Sequence, residues 1–422
     1  MAKSKKSVSS SNKEGISARP LKRNFDSLYR HLIAVGLIAG VAFLIYSNTF
    51  SVPFQFDDRP NITQNPNVQL RVLTWDRIQR LIANTYKESI RVFSYLTLAF
   101  NYYFGGFNVF GYHLVNLLIH VFTGILLYGF LILTFRLPSL EKRYGPIAYK
   151  MALFTSLIFI AHPVQTQSVT YIVQRMASLG AMFYLLTFVL YIKARLAEQG
   201  KARTLYFGGA VLSYLLGIFS KENVAIIPFF IALYEFYFFQ NLDLGPKGKR
   251  IALFLVGALF ALGSLGLLVW GKRYYDVLIE GYKIRDFTLT ERVLTQFRVV
   301  LHYVSLLIYP HPSRLNLDYD FPLSKTILDP PTTLLSIVLV FGLIGYGIWT
   351  ARKRPLLSFC ILWYFGNLVI ESSIFPLEMV FEHRLYLPSI GPFILFSLGV
   401  VLGVKKWRAR GTAKGALECE RG

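Results

Sequence analysis

The chain has 422 residues, of which 54% are hydrophobic and only 16% are charged. Soluble globular proteins average about 25% charged residues, and apolar runs of roughly 20 residues, long enough to span a bilayer, recur along this chain. The composition therefore excludes a disordered protein, a coiled coil and a small secreted domain, and it predicts an all-α polytopic membrane protein. Two cysteines, Cys360 and Cys419, argue against a disulfide framework or a cysteine metal cluster.

Hydropathy predicts a bundle of about 10 transmembrane helices within residues 31–404. A basic lead, 1–30, precedes the bundle and is predicted to be disordered and cytoplasmic, and a basic cytoplasmic tail, 405–422, follows it. The predicted spans are 31–48, 113–135, 151–173, 176–192, 204–220, 223–239, 251–270, 332–350, 356–370 and 388–404.

The net charge of +22 lies almost entirely on one side of this topology. With the N-terminus inside, the cytoplasmic segments hold 28 Lys and Arg against 7 Asp and Glu. The external loops, 49–112, 271–331 and 371–387, hold 15 against 14. This is the positive-inside bias of membrane proteins, and it explains the basic charge without a nucleic-acid partner.

Three external segments have helical spacing. Trp75–Ala83 and Ile90–Phe104 carry aromatic and basic edges, which is typical of helices lying in the membrane interface. Residues 293–309 are apolar but contain Arg298 and His302. A full span there would invert everything downstream, so we expect a re-entrant or interfacial helix.

Two adjacent carboxylates, Asp57 and Asp58, follow the first span between aromatic residues. Adjacent side chains diverge, so at most one of them can point into a given cavity. The alternative is a helix-ending turn with two solvated acids. The pair is too close for the two-carboxylate arrangement of a glycoside hydrolase.

The second span carries His113, Asn116 and His120 on one helical face. Such a polar stripe predicts hydrogen bonds between helices, with metal ligation as the alternative. The segment from His162 to Gln167 contains a proline and breaks the third span, which predicts an irregular backbone lining a wet cavity.

Charged residues also occur at other external turns. Arg175 follows the third span, and Lys221 and Glu222 stand at a later junction, where the lysine could face a phosphate or be neutralised by its neighbour. In the last loop, Arg384 could bind a phosphate or pair with Glu378 or Glu382.

Five motifs in order resemble a known family. They are Phe56-Asp57-Asp58 with Asn61 and Asn65-Pro66, Gly111 to His120, His162-Pro163-Val164, Ser220-Lys221-Glu222, and Glu382 to Ser389. Their order and spacing resemble the membrane part of the transmembrane and tetratricopeptide-repeat O-mannosyltransferases and their bacterial relatives, which belong to the GT-C superfamily of glycosyltransferases.

This resemblance implies a GT-C-like bundle that transfers a sugar, mannose or another hexose, from a polyprenyl phosphate to an acceptor hydroxyl, with inversion. The acceptor would be a protein Ser or Thr or a glycan, and the partners would include membrane lipids. The site would face the periplasm from a bacterial inner membrane. Asp57 would be the general base and Asp58 its positioning partner. The residues expected to bind the donor or its phosphate are His162, Arg175, Lys221, Glu222, Arg298, Glu382, His383, Arg384 and Tyr386.

The sequence also departs from the family. No tetratricopeptide repeats follow the last span, and Gln165 and Gln167 stand where many relatives have an acid. Other readings stay open: a secondary transporter, or a lipid-linked glycan ligase or flippase-like protein. The sequence establishes no cofactor, and a divalent metal ion is an option that it leaves open.

Overall fold

The computed structural model describes residues 25–243, 245, 278 and 280–419. These residues form helices and connecting segments, with no β-strand among them. The α-helices of the described part are α1 (Phe25–Tyr46), α2 (Trp75–Glu88), α3 (Val92–Gly105), α4 (Val109–Phe135), α5 (Pro138–Tyr144), α6 (Ala148–Ala161), α7 (Thr166–Thr170), α8 (Arg175–Leu196), α9 (Lys201–Ile218), α10 (Ile227–Tyr234), α11 (Leu289–Ile308), α12 (Thr332–Thr350), α13 (Pro355–Leu368) and α14 (Ile390–Cys419).

Seven helical stretches of the described part are long and apolar enough to cross a membrane. They are Leu28–Thr49, Val109–Phe135, Pro138–Ala161, Ile172–Leu196, Glu222–Phe239, Thr332–Thr350 and Ile390–Arg408. Helix α13 is apolar but shorter. The prediction of an all-α polytopic membrane protein is therefore confirmed.

The predicted span 151–173 is wrong in its second half. Helix α6 ends at Ala161, and short helical turns follow before α8 begins. His162 adopts an extended backbone because the ring of Pro163 disfavours the helical conformation in the residue before it. The break at His162 itself was predicted and is confirmed. The predicted span at 251–270 lies outside the described residues.

The two segments of the first external loop that were predicted to be helical, Trp75–Ala83 and Ile90–Phe104, correspond to α2 and α3. Helix α2 begins after Thr74, whose side chain accepts a hydrogen bond from the backbone N–H of Arg77 and caps the helix. Leu81 and Thr85 of α2 are buried, whereas Trp75 is exposed. Their place in the membrane interface stays a prediction.

Helices α4 and α8 form the centre of the bundle, with α6 packed on α4 and α9 on α8. Trp363 of α13 fills this centre, with its ring 6.2 Å from that of Phe130 and 5.3 Å from that of Tyr184. Gly391 lets α14 approach α13 closely, since a Cβ atom there would lie 2.5 Å from the carbonyl oxygen of Cys360.

Helix α1 contacts the bundle along a narrow stripe. Ala34, Ile38, Ala42 and Tyr46, four residues apart, are buried. The other faces are apolar and exposed, as are those of α12. We expect these apolar faces to border the lipid.

The candidate functional residues meet at one end of the bundle, which we call the loop end. It consists of residues 49–63, 162–174, 219–226, 309–324 and 371–389. These segments follow or precede helices that all have one terminus here, and hydrogen bonds and ion pairs join them to one another.

Candidate functional site

The first loop presents its two carboxylates differently. Asp58 is 1% exposed, and its Oδ1 and Oδ2 atoms accept hydrogen bonds from the backbone N–H groups of Val173 (2.7 Å) and Gln55 (3.0 Å). The side chain of Asp57 is exposed, and its backbone N–H donates to the Tyr171 hydroxyl at 2.8 Å. The predicted divergence of the two side chains is confirmed.

The burial of Asp58 has an electrostatic consequence. Loss of solvation, with the nearby charge of Asp57, raises the pKa of Asp58 to about 6, although backbone donors oppose the shift. The alternative of two solvated acids is therefore wrong for Asp58. This residue ties the first loop to the segment that precedes α8, and Asp57 remains at the surface.

A cavity of about 420 Å³ opens beside this loop, within the range of roughly 300–1,000 Å³ for small-molecule sites. Its lining residues come from four segments of the loop end: Val52, Pro53, Gln55, Asp58, Pro163, Thr166, Gln167, Thr170, Tyr171, Pro312, Leu315, Asn316, Leu317 and Glu382. This lining includes two carboxylates, Asp58 and Glu382, and no lysine or arginine. The cavity suits a polar, hydroxyl-rich group better than an anion.

Glu382 is held in this cavity by the segment after α11. Its Oε1 atom accepts hydrogen bonds from the backbone N–H of Asn316 and from the Tyr319 hydroxyl, both at 2.7 Å. Burial raises the pKa of Glu382 to about 7, although these two donors lower it. Both acids of the cavity thus titrate near neutral pH.

Gln167 forms a wall between this cavity and His383. Its Oε1 atom accepts the backbone N–H of His383 at 2.8 Å and lies 2.8 Å from the Nδ1 atom of the same residue. An amide oxygen only accepts, so Nδ1 carries a proton and Nε2 of the neutral ring carries a lone pair. Burial, with the positive charges of Lys221, Arg384 and Arg91, lowers the pKa of His383 well below its ordinary value.

Lys221 pairs with a residue far along the chain. Its Nζ atom lies 2.7 Å from Oε1 of Glu371, and both side chains are buried. Glu222 turns away and accepts hydrogen bonds from Nε and Nη2 of Arg91, each at 2.8 Å. Neutralisation of Lys221 by Glu222, the alternative raised by the sequence, is therefore wrong.

Arg384 lies in the same region with few partners. It is 3% exposed, its Nη1 atom donates to the carbonyl of Met379 at 3.1 Å, and its guanidinium lies 5.3 Å from the ring centre of Phe381. Its Nε atom is buried and has no hydrogen-bond partner within the described part of the chain. None of the ion pairs found among the described residues joins Arg384 to Glu378 or Glu382, so that alternative is also wrong.

Arg292, in the first turn of α11, is a component that sequence reasoning missed. It is buried, and its Nη2, Nε and Nη1 atoms all donate to backbone carbonyls, those of Glu371 (2.9 Å), Ser373 (3.1 Å) and Leu377. Its positive charge is close enough to that of Arg384 for the two to repel. The signal was present in the sequence, because an arginine in an apolar helix needs a compensating reason.

We call Arg91, Lys221, Arg292 and Arg384 the cation cluster. Two carboxylates, those of Glu222 and Glu371, pair with it, which leaves two positive charges without a charged partner among the described residues. Buried charge of one sign is costly unless something compensates it. The cluster is therefore suited to bind an anion.

Arg175 is placed elsewhere and is fully occupied. Its Nε atom donates to Oδ1 of Asn116 at 2.6 Å, and its Nη2 and Nη1 atoms donate to the carbonyls of Tyr112 (3.0 Å) and Thr97 (3.2 Å). The side chain is 0% exposed. These contacts join α8 to α3 and α4 and leave no donor pointing into the cavity.

Three further predicted donor-binding residues do not join the cation cluster. Both ring nitrogens of His162 are engaged, with the carbonyl of Leu307 and the backbone of Val164. Arg298 donates to the carbonyl of Pro322 at 2.7 Å. The hydroxyl of Tyr386 lies 2.7 Å from Nδ1 of His120, inside the bundle.

The polar stripe on α4 forms hydrogen bonds between helices, as predicted. Nε2 of His113 contacts the carbonyl of Val52 at 2.8 Å, and Nδ2 of Asn116 donates to that of Val169 at 3.1 Å. Both nitrogens of His120 are engaged by Tyr386 and Ile160. No group of three or more metal-ligating side chains occurs among the described residues.

Comparison with known proteins places this geometry in context. Over 167 residues, 37% of this chain and 22% of the relative, it is 34% identical to the protein O-mannosyl-transferase TMTC4 of Homo sapiens. The chain is similar to the protein O-mannosyl-transferases. Human TMTC2 is 28% identical over 326 residues, 71% of this chain and 37% of the relative. A Caenorhabditis elegans protein O-mannosyl-transferase is 24% identical over 395 residues, 86% of this chain and 50% of the relative.

The chain thus spans from about a fifth to half of the length of these curated relatives. No family model matches it, and no solved structure matches it. The similarity to protein O-mannosyl-transferases agrees with the family resemblance carried by the five motifs. With the apolar helices, it identifies an integral membrane protein.

Proposed function

We propose that this protein is a glycosyltransferase that moves a sugar from a polyprenyl-phosphate donor to an acceptor hydroxyl at the loop end of the bundle. The proposal rests on one observation: the acidic cavity and the cation cluster are neighbours, separated by Gln167 and His383. An acidic cavity of about 420 Å³ adjoins, through Gln167 and His383, the cation cluster, which has excess positive charge and is buried except for Arg91. A sugar phosphate has the complementary distribution, with hydroxyls at one end and an anion at the other.

The cation cluster would hold the donor phosphate. Lys221 and Arg384 supply charge at the junctions of helices, and Arg91 extends the cluster. Arg292 adds positive charge but no free donor, because its nitrogens already bind backbone carbonyls. The Nε atom of Arg384, which lacks a partner among the described residues, is a donor for a phosphate oxygen. As the leaving group departs, these cations would stabilise its negative charge in a poorly hydrated site.

Asp57 would act as the general base. Its carboxylate is exposed beside the cavity-lining Tyr171, where an acceptor arriving from solvent can reach it. Asp58 holds the loop through its two backbone hydrogen bonds. The acceptor oxygen attacks the anomeric carbon from the face opposite the phosphate, its proton passes to Asp57, and the phosphate leaves with the bonding electrons. One displacement inverts the configuration.

The relatives' name suggests mannose as the sugar and a protein Ser or Thr hydroxyl as the acceptor, and a glycan hydroxyl would satisfy the same chemistry. We further propose that the loop end faces the periplasm, from the inner membrane of a bacterium. The distribution of basic residues supports this orientation.

The activity is tested by incubating the purified full chain, reconstituted in lipid, with radiolabelled polyprenyl-phosphate mannose and a Ser/Thr-rich peptide. We expect label to appear on the peptide with inverted anomeric configuration, and not with Asp57→Asn. Labelled lipid that crosses the bilayer of sealed vesicles without transfer to any acceptor would instead favour a flippase or transporter.

The orientation is tested separately. In a variant with Cys360→Ala and Cys419→Ala, single cysteines at Asn61 and at Lys405 are exposed to an impermeant maleimide in cells with a permeabilised outer membrane. Labelling at position 61 alone supports a periplasmic loop end, and labelling at position 405 alone reverses the topology.

A further inference from the structure

We propose that Glu382 binds a hydroxyl group of the transferred sugar and is thereby a specificity-determining residue of the cavity. The inference rests on the proposed function, because it assumes a sugar-phosphate donor. It assigns to Glu382 a role different from that of the phosphate-binding residues that follow it in the chain.

The charge of the cavity separates the two ends of the donor. The lining contains Asp58 and Glu382 and no cationic side chain, so nothing in it would compensate the charge of a phosphate group placed there. The cation cluster begins at the other side of Gln167. A donor with its phosphate in the cluster must therefore direct its sugar toward the cavity, along the wall formed by Gln167 and Glu382.

The hydrogen bonds of Glu382 leave one carboxylate oxygen available. Oε1 accepts both of the protein donors, the N–H of Asn316 and the hydroxyl of Tyr319. Oε2 accepts no hydrogen bond from the described residues, although the side chain is only 4% exposed and lines the cavity. A carboxylate oxygen oriented by two bonds on its partner oxygen is a rigid acceptor for a sugar hydroxyl.

Asp58 does not offer the same opportunity. Both of its oxygens already accept a backbone N–H, one from Gln55 and one from Val173. It therefore maintains the shape of the cavity, whereas Glu382 can contribute to the choice of substrate. Sites that hydrogen-bond a substrate hydroxyl reject analogues that lack it, because their own polar group is then left unpaired.

The experiment compares two probes with the full chain: polyprenyl phosphate without sugar, and polyprenyl-phosphate mannose. The ligand-induced rise in melting temperature is measured for the wild type, Glu382→Gln and Glu378→Gln. Glu378 lies in the same loop and pairs with Arg285 outside the cavity, so it is a matched control. Glu382→Asp, which retracts the carboxylate by one methylene group, serves as a second variant if Glu382→Gln does not fold.

We expect the sugar-free lipid to stabilise all variants equally. The additional rise caused by the mannose should be present in the wild type and in Glu378→Gln and lost in the Glu382 variant. With the mannose donor, the kcat/KM of the Glu382 variant should be about 10- to 100-fold below that of the wild type. One deoxy-mannose donor should lower the kcat/KM of the wild type by a similar factor and leave that of the variant unchanged.

If mannose raised the melting temperature of the wild type and of the Glu382 variant equally, this inference alone would be overturned. The same holds if every deoxy-mannose donor lowered the kcat/KM of the variant by the same factor as that of the wild type. Absence of stabilisation of the wild type by either lipid would instead overturn the proposed function, and this inference with it.

Discussion

Two buried arginines, Arg175 at the start of α8 and Arg384 at the loop end, differ in how the fold uses them. Both are almost fully buried, at 0% and 3% exposure. Arg175 donates to Asn116 and to two backbone carbonyls, which joins three helices. Arg384 donates to one carbonyl, stacks on an aromatic ring and keeps its Nε atom without a partner among the described residues.

This contrast teaches that burial of a charge does not by itself mark a binding site. A buried arginine whose donors are all engaged is part of the scaffold, since a ligand would have to break existing bonds. One with an unused donor, next to other cations, still has a free energy cost that a ligand can offset. From the sequence, both residues were predicted to bind the donor.

The largest loss of stability is expected on substitution of Arg175, whose hydrogen-bond donors are all engaged. Arg175→Met removes charged hydrogen bonds to the carbonyls of Tyr112 and Thr97 and to the amide oxygen of Asn116, each contributing about 1.5–3 kcal/mol. Since proteins are stable by only about 5–15 kcal/mol, little folded protein should remain. Size-exclusion profiles and melting temperature in detergent measure this. If Arg175→Met were stable and bound the donor but had no activity, Arg175 would belong to the functional site, and its contrast with Arg384 would not hold.

The same contrast is expected for the two acids of the first loop. Asp57→Asn should lower turnover about 10²- to 10⁴-fold with an unchanged melting temperature, because a general base contributes that much. Asp58→Asn should lower the melting temperature, because it weakens the carboxylate's hold on two backbone N–H groups. Full turnover of Asp57→Asn with loss only in Asp58→Asn would reverse the roles.

The unsaturated arginine should behave as a ligand-binding residue. Arg384→Lys keeps the charge and loses the planar fork, so we expect a roughly 10- to 150-fold loss in kcat/KM, the equivalent of about 1.5–3 kcal/mol. Melting temperature without ligand should change little, and the stabilisation by polyprenyl phosphate should decrease. Lys221→Ala should reduce the same stabilisation but also lower intrinsic stability, since it removes the cationic partner of the buried Glu371. Undiminished ligand stabilisation in both variants would contradict the phosphate assignment.

The cavity acids predict a pH dependence of stability. The pKa of Glu382 is raised to about 7, above its value in the unfolded chain, so the folded state binds more protons between about pH 4.5 and 7. Stability should therefore be greatest below this window and fall as the pH rises through it, by an amount of the order of 1–3 kcal/mol. Melting curves from pH 4.5 to 8 measure it. Glu382→Gln should flatten the profile, leaving the smaller dependence due to Asp58, and an unchanged slope would contradict this origin.

The smallest effect is expected at Arg298. Its guanidinium lies 5.3 Å from the ring centre of Phe321 and donates to the carbonyl of Pro322, away from the cation cluster. Arg298→Gln should lower stability by about 1 kcal/mol and leave KM for the donor unchanged. Steady-state kinetics check this, and a tenfold rise in KM would extend the phosphate site to Arg298.

Much of the fold was predictable from local pattern. Apolar runs, the break before Pro163 and the polar face of His113, Asn116 and His120 follow from hydropathy and helical periodicity. These features depend on neighbours within one or two helical turns. The end of the third span was predicted twelve residues too late, because the apolar residues Val169, Ile172 and Val173 extend the run past the break at His162.

The amino-acid sequence by itself determined the class of the protein, the approximate positions of its helices and the set of polar residues from which a site could be built. Only the tertiary structure decided which of those residues share an environment. Lys221 found its partner 150 residues away in Glu371, Glu222 bonded Arg91, and Arg292 joined a cluster that no motif had assigned to it. The physical reason is that hydrogen-bond saturation and charge balance depend on atoms brought together from distant segments, and no local pattern encodes whether a buried donor will find its acceptor.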